Sequence, residues 1–97
     1  MTTKRLRFEE GYPVEIELIE AKDASLCRFG YKVGDSWVVN AWESSGFCGM
    51  AYSSFFPWII LYQTKGEAVW KPSEKDMLIR TCPDVRPGFL FRIKRKE

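Results

Sequence analysis

The chain has 97 residues, 45% of them hydrophobic and 15% aromatic, with 15 Lys and Arg against 13 Asp and Glu for a net charge of +2. These values fit one compact domain and argue against nucleic-acid binding, which requires a concentrated basic surface. Histidine is absent, which removes Ser-His-Asp and Cys-His catalysis and every Cys/His zinc site.

Residues 1–12 alternate basic and acidic groups around Leu6 and Phe8 and read as a flexible N-terminal arm, leaving 13–97 as a single domain. The arm holds no apolar run of the signal-peptide kind. The longest apolar block, Phe55 to Tyr62, is far below the roughly 20 residues of a membrane span. The expectation is a cytoplasmic protein with no membrane contact. Val14 to Ala21 reads as a strand, with Val14, Ile16 and Leu18 on one face and Glu15 and Glu17 on the other. Lys22 to Ser25 is a polar turn, and Leu26 to Tyr31 a short extended piece. Lys32-Val33-Gly34-Asp35 is a turn signal ahead of a second strand, Ser36 to Val39. Without a Gly-rich phosphate signature, that turn reads as structural.

Asn40 to Gly46 is a loop holding Trp42. The stretch from Gly46 to Gly66 is the one segment with helical length and character. Its large side chains point at almost every angle of a 3.6-residue repeat. Such a helix has to be covered on most sides, by its own domain or by a second copy, so a homo-oligomer is expected. Pro57 predicts a kinked or two-part helix, and Gly66 after Lys65 predicts its C-terminal cap. Glu67 to Asp76 is a polar connection with Trp70. Met77 to Cys82 is a third strand, followed by a turn with two prolines. Phe89 to Lys96 is the last strand, with Phe89, Phe91 and Ile93 inward and Arg92 and Lys94 outward. Those cations match Glu15 and Glu17, which predicts that the first and last strands pair. The basic C-terminal run thereby acquires a structural role, and no nucleic-acid partner is expected. The fold class is α+β: a small twisted, mainly antiparallel sheet with one kinked apolar helix, and a sheet curling towards a barrel is equally compatible.

The ordered set Gly30-Tyr31-Lys32-Val33-Gly34-Asp35, Gly46-Phe47-Cys48 opening an aromatic helix, Val69-Trp70, and Cys82-Pro83-Asp84 with Arg86-Pro87 before a Phe-rich strand resembles a family of small prokaryotic proteins of about this length. The resemblance covers nearly the whole chain from Val14 onward. It implies a fold and a pattern of three cysteines matching Cys27, Cys48 and Cys82, and it implies no reaction. The stretch Gly49-Met50-Ala51-Tyr52 departs from the family pattern.

Three cysteines, none in a CxxC pair, do not make a secreted disulfide framework. Each sits at the edge of an element, and such edges gather on one rim of a small domain. Cys48 precedes the helix, where free N–H groups and the dipole favour a thiolate; it is the first candidate for a reactive thiol, with Cys82 as partner. Cys27, Cys48 and Cys82 together are the candidate ligands for a soft metal, zinc, Cu(I) or an iron–sulfur cluster, with Asp84 or a non-protein ligand in the fourth position. Their spacing is not that of a known metal ribbon, and the plain alternative is burial as small hydrophobes. Glu43 and Asp84 are candidate proton carriers or, in the ordinary use of loop carboxylates, caps. Trp42, Trp70 and Arg86 are candidate ligand-binding residues, while the four tryptophans together serve core packing or line an aromatic pocket. Three readings follow: a thiol-bearing metal-binding or redox domain, a homodimeric or partner-binding accessory module using the apolar helix, and an enzyme acting on a small molecule. The missing histidine places the enzyme last.

Overall fold

The computed structural model describes residues 12–64, 76–84 and 88–96. Alternation of apolar and charged residues produces β1 (Val14–Glu20), whose Val14, Ile16 and Leu18 are fully buried. β2 spans Ser36–Val39, α1 Gly49–Gln63, β3 Met77–Thr81 and β4 Leu90–Arg95. The sheet is antiparallel in the order β2-β1-β4-β3. It is open, with β2 and β3 at its edges, so no barrel forms. The α+β class is as the sequence predicts.

The pairing of first and last strands follows their charges. In register, Glu15 faces Lys94 and Glu17 faces Arg92. Arg92 is ion-paired to Glu17, while Glu15 pairs with Lys96 at 3.6 Å. The opposite face of β4 carries Phe91 and Ile93 into the core, with Phe89 just before the strand also buried.

α1 is one continuous helix through Pro57, not two pieces. Ser53, whose carbonyl loses its helical N–H partner, and Pro57 itself are both exposed, so the missing bond falls on the solvent side of the helix. The helix buries one stripe, Ala51, Phe55, Ile59, Tyr62 and Gln63, against β1 and β4. Its outer line is Met50, Ser53, Ser54 and Pro57. Phe56, Trp58, Ile60 and Leu61 are half-buried. Burial is thus one-sided despite the apolar sequence. The helix stops at Gln63, and Thr64 is its C-cap, with its hydroxyl donating to the Ile60 carbonyl at 2.7 Å. The expected Gly66 cap, residues 1–11 of the arm expected over 1–12, Trp70 and Arg86 lie outside the described residues, while Tyr12 donates its N–H to the Gln63 carbonyl at 3.0 Å.

Two side chains tie the helix end to the rest. Gln63 is buried, and its Oε1 accepts from the Ala41 N–H at 2.7 Å. Arg95 follows Phe91 and Ile93 on the core face of β4 and is only 7% exposed. Its Nε donates to the Tyr62 carbonyl at 2.9 Å, and its guanidinium lies over the rings of Tyr12 and Tyr62. A cation suits this position, because the C-terminal carbonyls of a helix carry partial negative charge.

The Lys32–Asp35 turn is structural, as its composition predicts. Gly34 takes φ +100°, Asp35 Oδ2 accepts from the Lys32 N–H at 2.9 Å, and the turn extends the β1–β2 ladder through Leu18. Among the described residues no helix is long and apolar enough to cross a membrane.

Candidate thiol cleft

Local chemistry sets the position of each cysteine. Asp23 caps a single 3-10 turn over Ala24–Leu26 by accepting from the Ser25 N–H at 3.0 Å and the Ser25 hydroxyl at 2.5 Å. Aspartate with serine two residues on is a turn pair. A second turn follows at Arg28 and Phe29, closed by the Gly30 N–H on the Cys27 carbonyl at 3.2 Å, so turns stand where an extended piece was expected over Leu26 to Tyr31. Cys27 ends that turn and donates its N–H to the Ala24 carbonyl at 3.2 Å. Cys48 is the N-cap of α1, as expected of a thiol just before the helix, but its side chain makes no capping hydrogen bond. Cys82 follows the last residue of β3, with its N–H donating to the Phe89 carbonyl at 3.0 Å.

These three elements meet at one cleft of about 520 Å³. Cys27, Arg28 and Phe29 form one wall, Cys48, Gly49 and Met50 the helix side, and Cys82, Pro83, Asp84 and Phe89 the third side. All three thiols are free and half-buried. Burial raises the Cys82 thiol above its ordinary value. The Asp84 N–H that hydrogen-bonds it pulls the other way, and charge on Cys48, Asp84 or Cys27 would raise it further. Tyr31, whose hydroxyl donates to the Gly46 carbonyl at 3.5 Å, is likewise raised by burial, and it too feels Cys48 and Cys27. Its ring belongs to an aromatic cluster with Phe29, Trp37 and Phe47 behind the cleft. Cys82 also borders a second cleft of about 530 Å³ floored by Lys22, Gly88 and Leu90.

The expectation that the cysteines collect on one rim therefore describes the fold. The expectation of a shared ion does not. Among the described residues no set of three Cys, Asp or Glu is arranged to hold a metal. Cys27, Cys48, Cys82 and Asp84 line a common space, but they present no ligand shell for zinc or an iron–sulfur cluster. Asp84 is at the cleft. Glu43 is not: its Oε1 accepts from the Ser45 N–H at 2.9 Å, the capping use of a loop carboxylate. Trp42 is 57% exposed on the same loop and away from the cleft. Trp37 packs at 4.5 Å from Tyr31 and 4.7 Å from Phe47, and Trp58 lies under Arg80. The tryptophans that are described serve packing or the surface, and no aromatic pocket is built from them.

Sequence reasoning passed over Arg28, Phe29 and Met50. Each adjoins a candidate thiol or follows one closely, so the signal was the thiols' own neighbours. Comparison with protein-family models, with curated proteins and with solved structures finds no match.

Proposed function

We infer that this is a thiol protein that exchanges its cysteines with small disulfides in the cleft. The supporting observation is that Cys27, Cys48 and Cys82, far apart in the chain, line one small-molecule-sized space. Cys48 attacks one sulfur of the disulfide as thiolate. The bond between the two small sulfurs breaks, a mixed disulfide forms, and the first small thiolate leaves and takes a proton. Cys82, whose thiol burial raises above its ordinary value, then gives up its proton and attacks the Cys48 sulfur, expelling the second small thiol. The two protein thiols are oxidised to one disulfide, and the small disulfide is reduced to two thiols. Cys27 is a third thiol open to the same reagent. Exchange is favoured over metal binding because no three-ligand set is in place among the described residues.

Titration of the reduced protein with hydroxyethyl disulfide tests this reading. In a Cys27→Ser background, which removes the third thiol, the protein releases two small thiols per chain. Adding Cys82→Ser leaves one released and stops at the mixed disulfide, and adding Cys48→Ser instead slows the first step. Inert thiols, or stoichiometric zinc uptake that protects all three from alkylation, would contradict it.

A further inference from the structure

We propose that the cleft is selective for a small aromatic disulfide carrying a carboxylate, with the ring against Phe29 and Met50 and the carboxylate on Arg28. The proposal rests on the thiol-exchange reading and adds the class of substrate.

The apolar part of the argument starts from exposure. Phe29 is 60% and Met50 61% exposed, unfavourable positions for large apolar side chains in water. Both line the same cleft, each close in sequence to one of its thiols: Phe29 two residues from Cys27, and Met50 two residues from Cys48. A flat ring entering between them is stacked by Phe29 and contacted by a polarizable thioether. Phe89 and Pro83 continue the apolar surface towards Cys82. An aliphatic chain would gain burial there, and a ring gains burial and stacking.

The charged part turns on two groups. Arg28 lies between Cys27 and Phe29 and, among the described residues, makes no hydrogen bond or ion pair. Its planar fork matches a carboxylate in two parallel hydrogen bonds. Asp84, the other charge on the cleft, is engaged beside Cys82, where its N–H bonds the sulfur. Asp84 lines the cleft from the Cys82 segment and Arg28 from the Cys27 segment, so an anionic group is drawn to the Cys27 segment and kept from the Cys82 segment.

Four probes separate the parts: dithiobis(nitrobenzoate), aromatic and anionic; dithiodipyridine, aromatic and neutral; hydroxyethyl disulfide, aliphatic and neutral; and cystamine, aliphatic and cationic. Each native-state rate is divided by that reagent's rate with 2-mercaptoethanol, a neutral thiol, which removes intrinsic reactivity without adding a charge preference. The expected order runs from the nitrobenzoate down to cystamine, with about tenfold between the first and hydroxyethyl disulfide, a size set by one charge-assisted contact plus one stacked ring. Arg28→Gln lowers only the nitrobenzoate rate, and added salt does the same. Phe29→Ser lowers both aromatic rates and leaves the aliphatic ones. Equal normalised rates, or cystamine fastest, would overturn the selectivity while leaving thiol exchange standing. Thiols inert to all four probes would overturn both.

Discussion

Replacing Gly88 by alanine perturbs the described fold at its tightest backbone approach. Gly88 has φ +61°, and a Cβ built there falls 2.4 Å from the Lys22 Cβ. Lys22 cannot swing clear, because the Cβ is fixed to a backbone whose N–H donates to the Gly88 carbonyl at 3.3 Å. The left-handed backbone alone costs an alanine about 1–2 kcal/mol. Forcing the β1 end and the β4 entry apart adds about 1–3 kcal/mol of overpacking. Gly30 is the internal reference: φ is +69°, and nothing lies within 4 Å of its would-be Cβ, so Gly30→Ala carries the backbone strain only. Gly88→Ala should therefore lose about 2–5 kcal/mol, a large share of the ~5–15 kcal/mol that holds a domain of this size together. Urea unfolding followed by tryptophan fluorescence reads both variants. A midpoint for Gly88→Ala no lower than that of Gly30→Ala would refute the reasoning, since the contact with Lys22 would then contribute nothing.

Three further outcomes follow from the same contacts. Arg95→Met keeps an apolar stem but leaves the Tyr62 carbonyl without its cation, and should cost about 1–3 kcal/mol in the same unfolding assay, with Arg95→Lys recovering part. A double-mutant cycle on Glu17→Gln and Arg92→Gln should give a coupling of only about 0.3–1 kcal/mol that shrinks in salt, because both side chains are partly exposed. Burial raises the Cys82 thiol above its ordinary 9.0 and the Tyr31 and Tyr52 hydroxyls above 10.0. The folded state thus favours the protonated forms, so this stability is complete below those ordinary values and is lost as pH rises through the raised ones. The urea midpoint should fall above roughly pH 9, less steeply in Cys82→Ser, and a midpoint that rose with alkalinity would contradict the burial.

Strand alternation and charge matching were legible before any coordinates. Val14, Ile16 and Leu18 against Glu15 and Glu17 gave both the buried face of β1 and its pairing with Arg92 and Lys94 on β4. The cysteine rim was also legible, because turn chemistry at Asp23 and Pro83 and the helix start at Gly49 mark element ends, and ends cluster. Helix burial was not. The block from Phe55 to Tyr62 is apolar at nearly every angle, and only its seating over β1 and β4 decides that Phe55, Ile59 and Tyr62 are inside while Phe56 and Ile60 remain half-covered. The expectation of a covering second copy drew on that uniformity; the exposed line of the helix holds Met50, Ser53, Ser54 and Pro57. Nor could composition distinguish thiols that share a cleft from thiols that share an ion, since that depends on side-chain directions that spacing does not encode. Arg95 was missed for a simpler reason. Alternation places it inward after Phe91 and Ile93, but a terminal basic run reads as solvated.

The central claim is that Cys48 and Cys82 act as a pair across the cleft. Non-reducing peptide mapping after one equivalent of hydroxyethyl disulfide tests it most directly. A Cys48–Cys82 cross-link, with Cys27 still free, is the predicted product. Separate adducts on all three cysteines with no internal bridge, or a bridge that joins Cys27 instead, would contradict it.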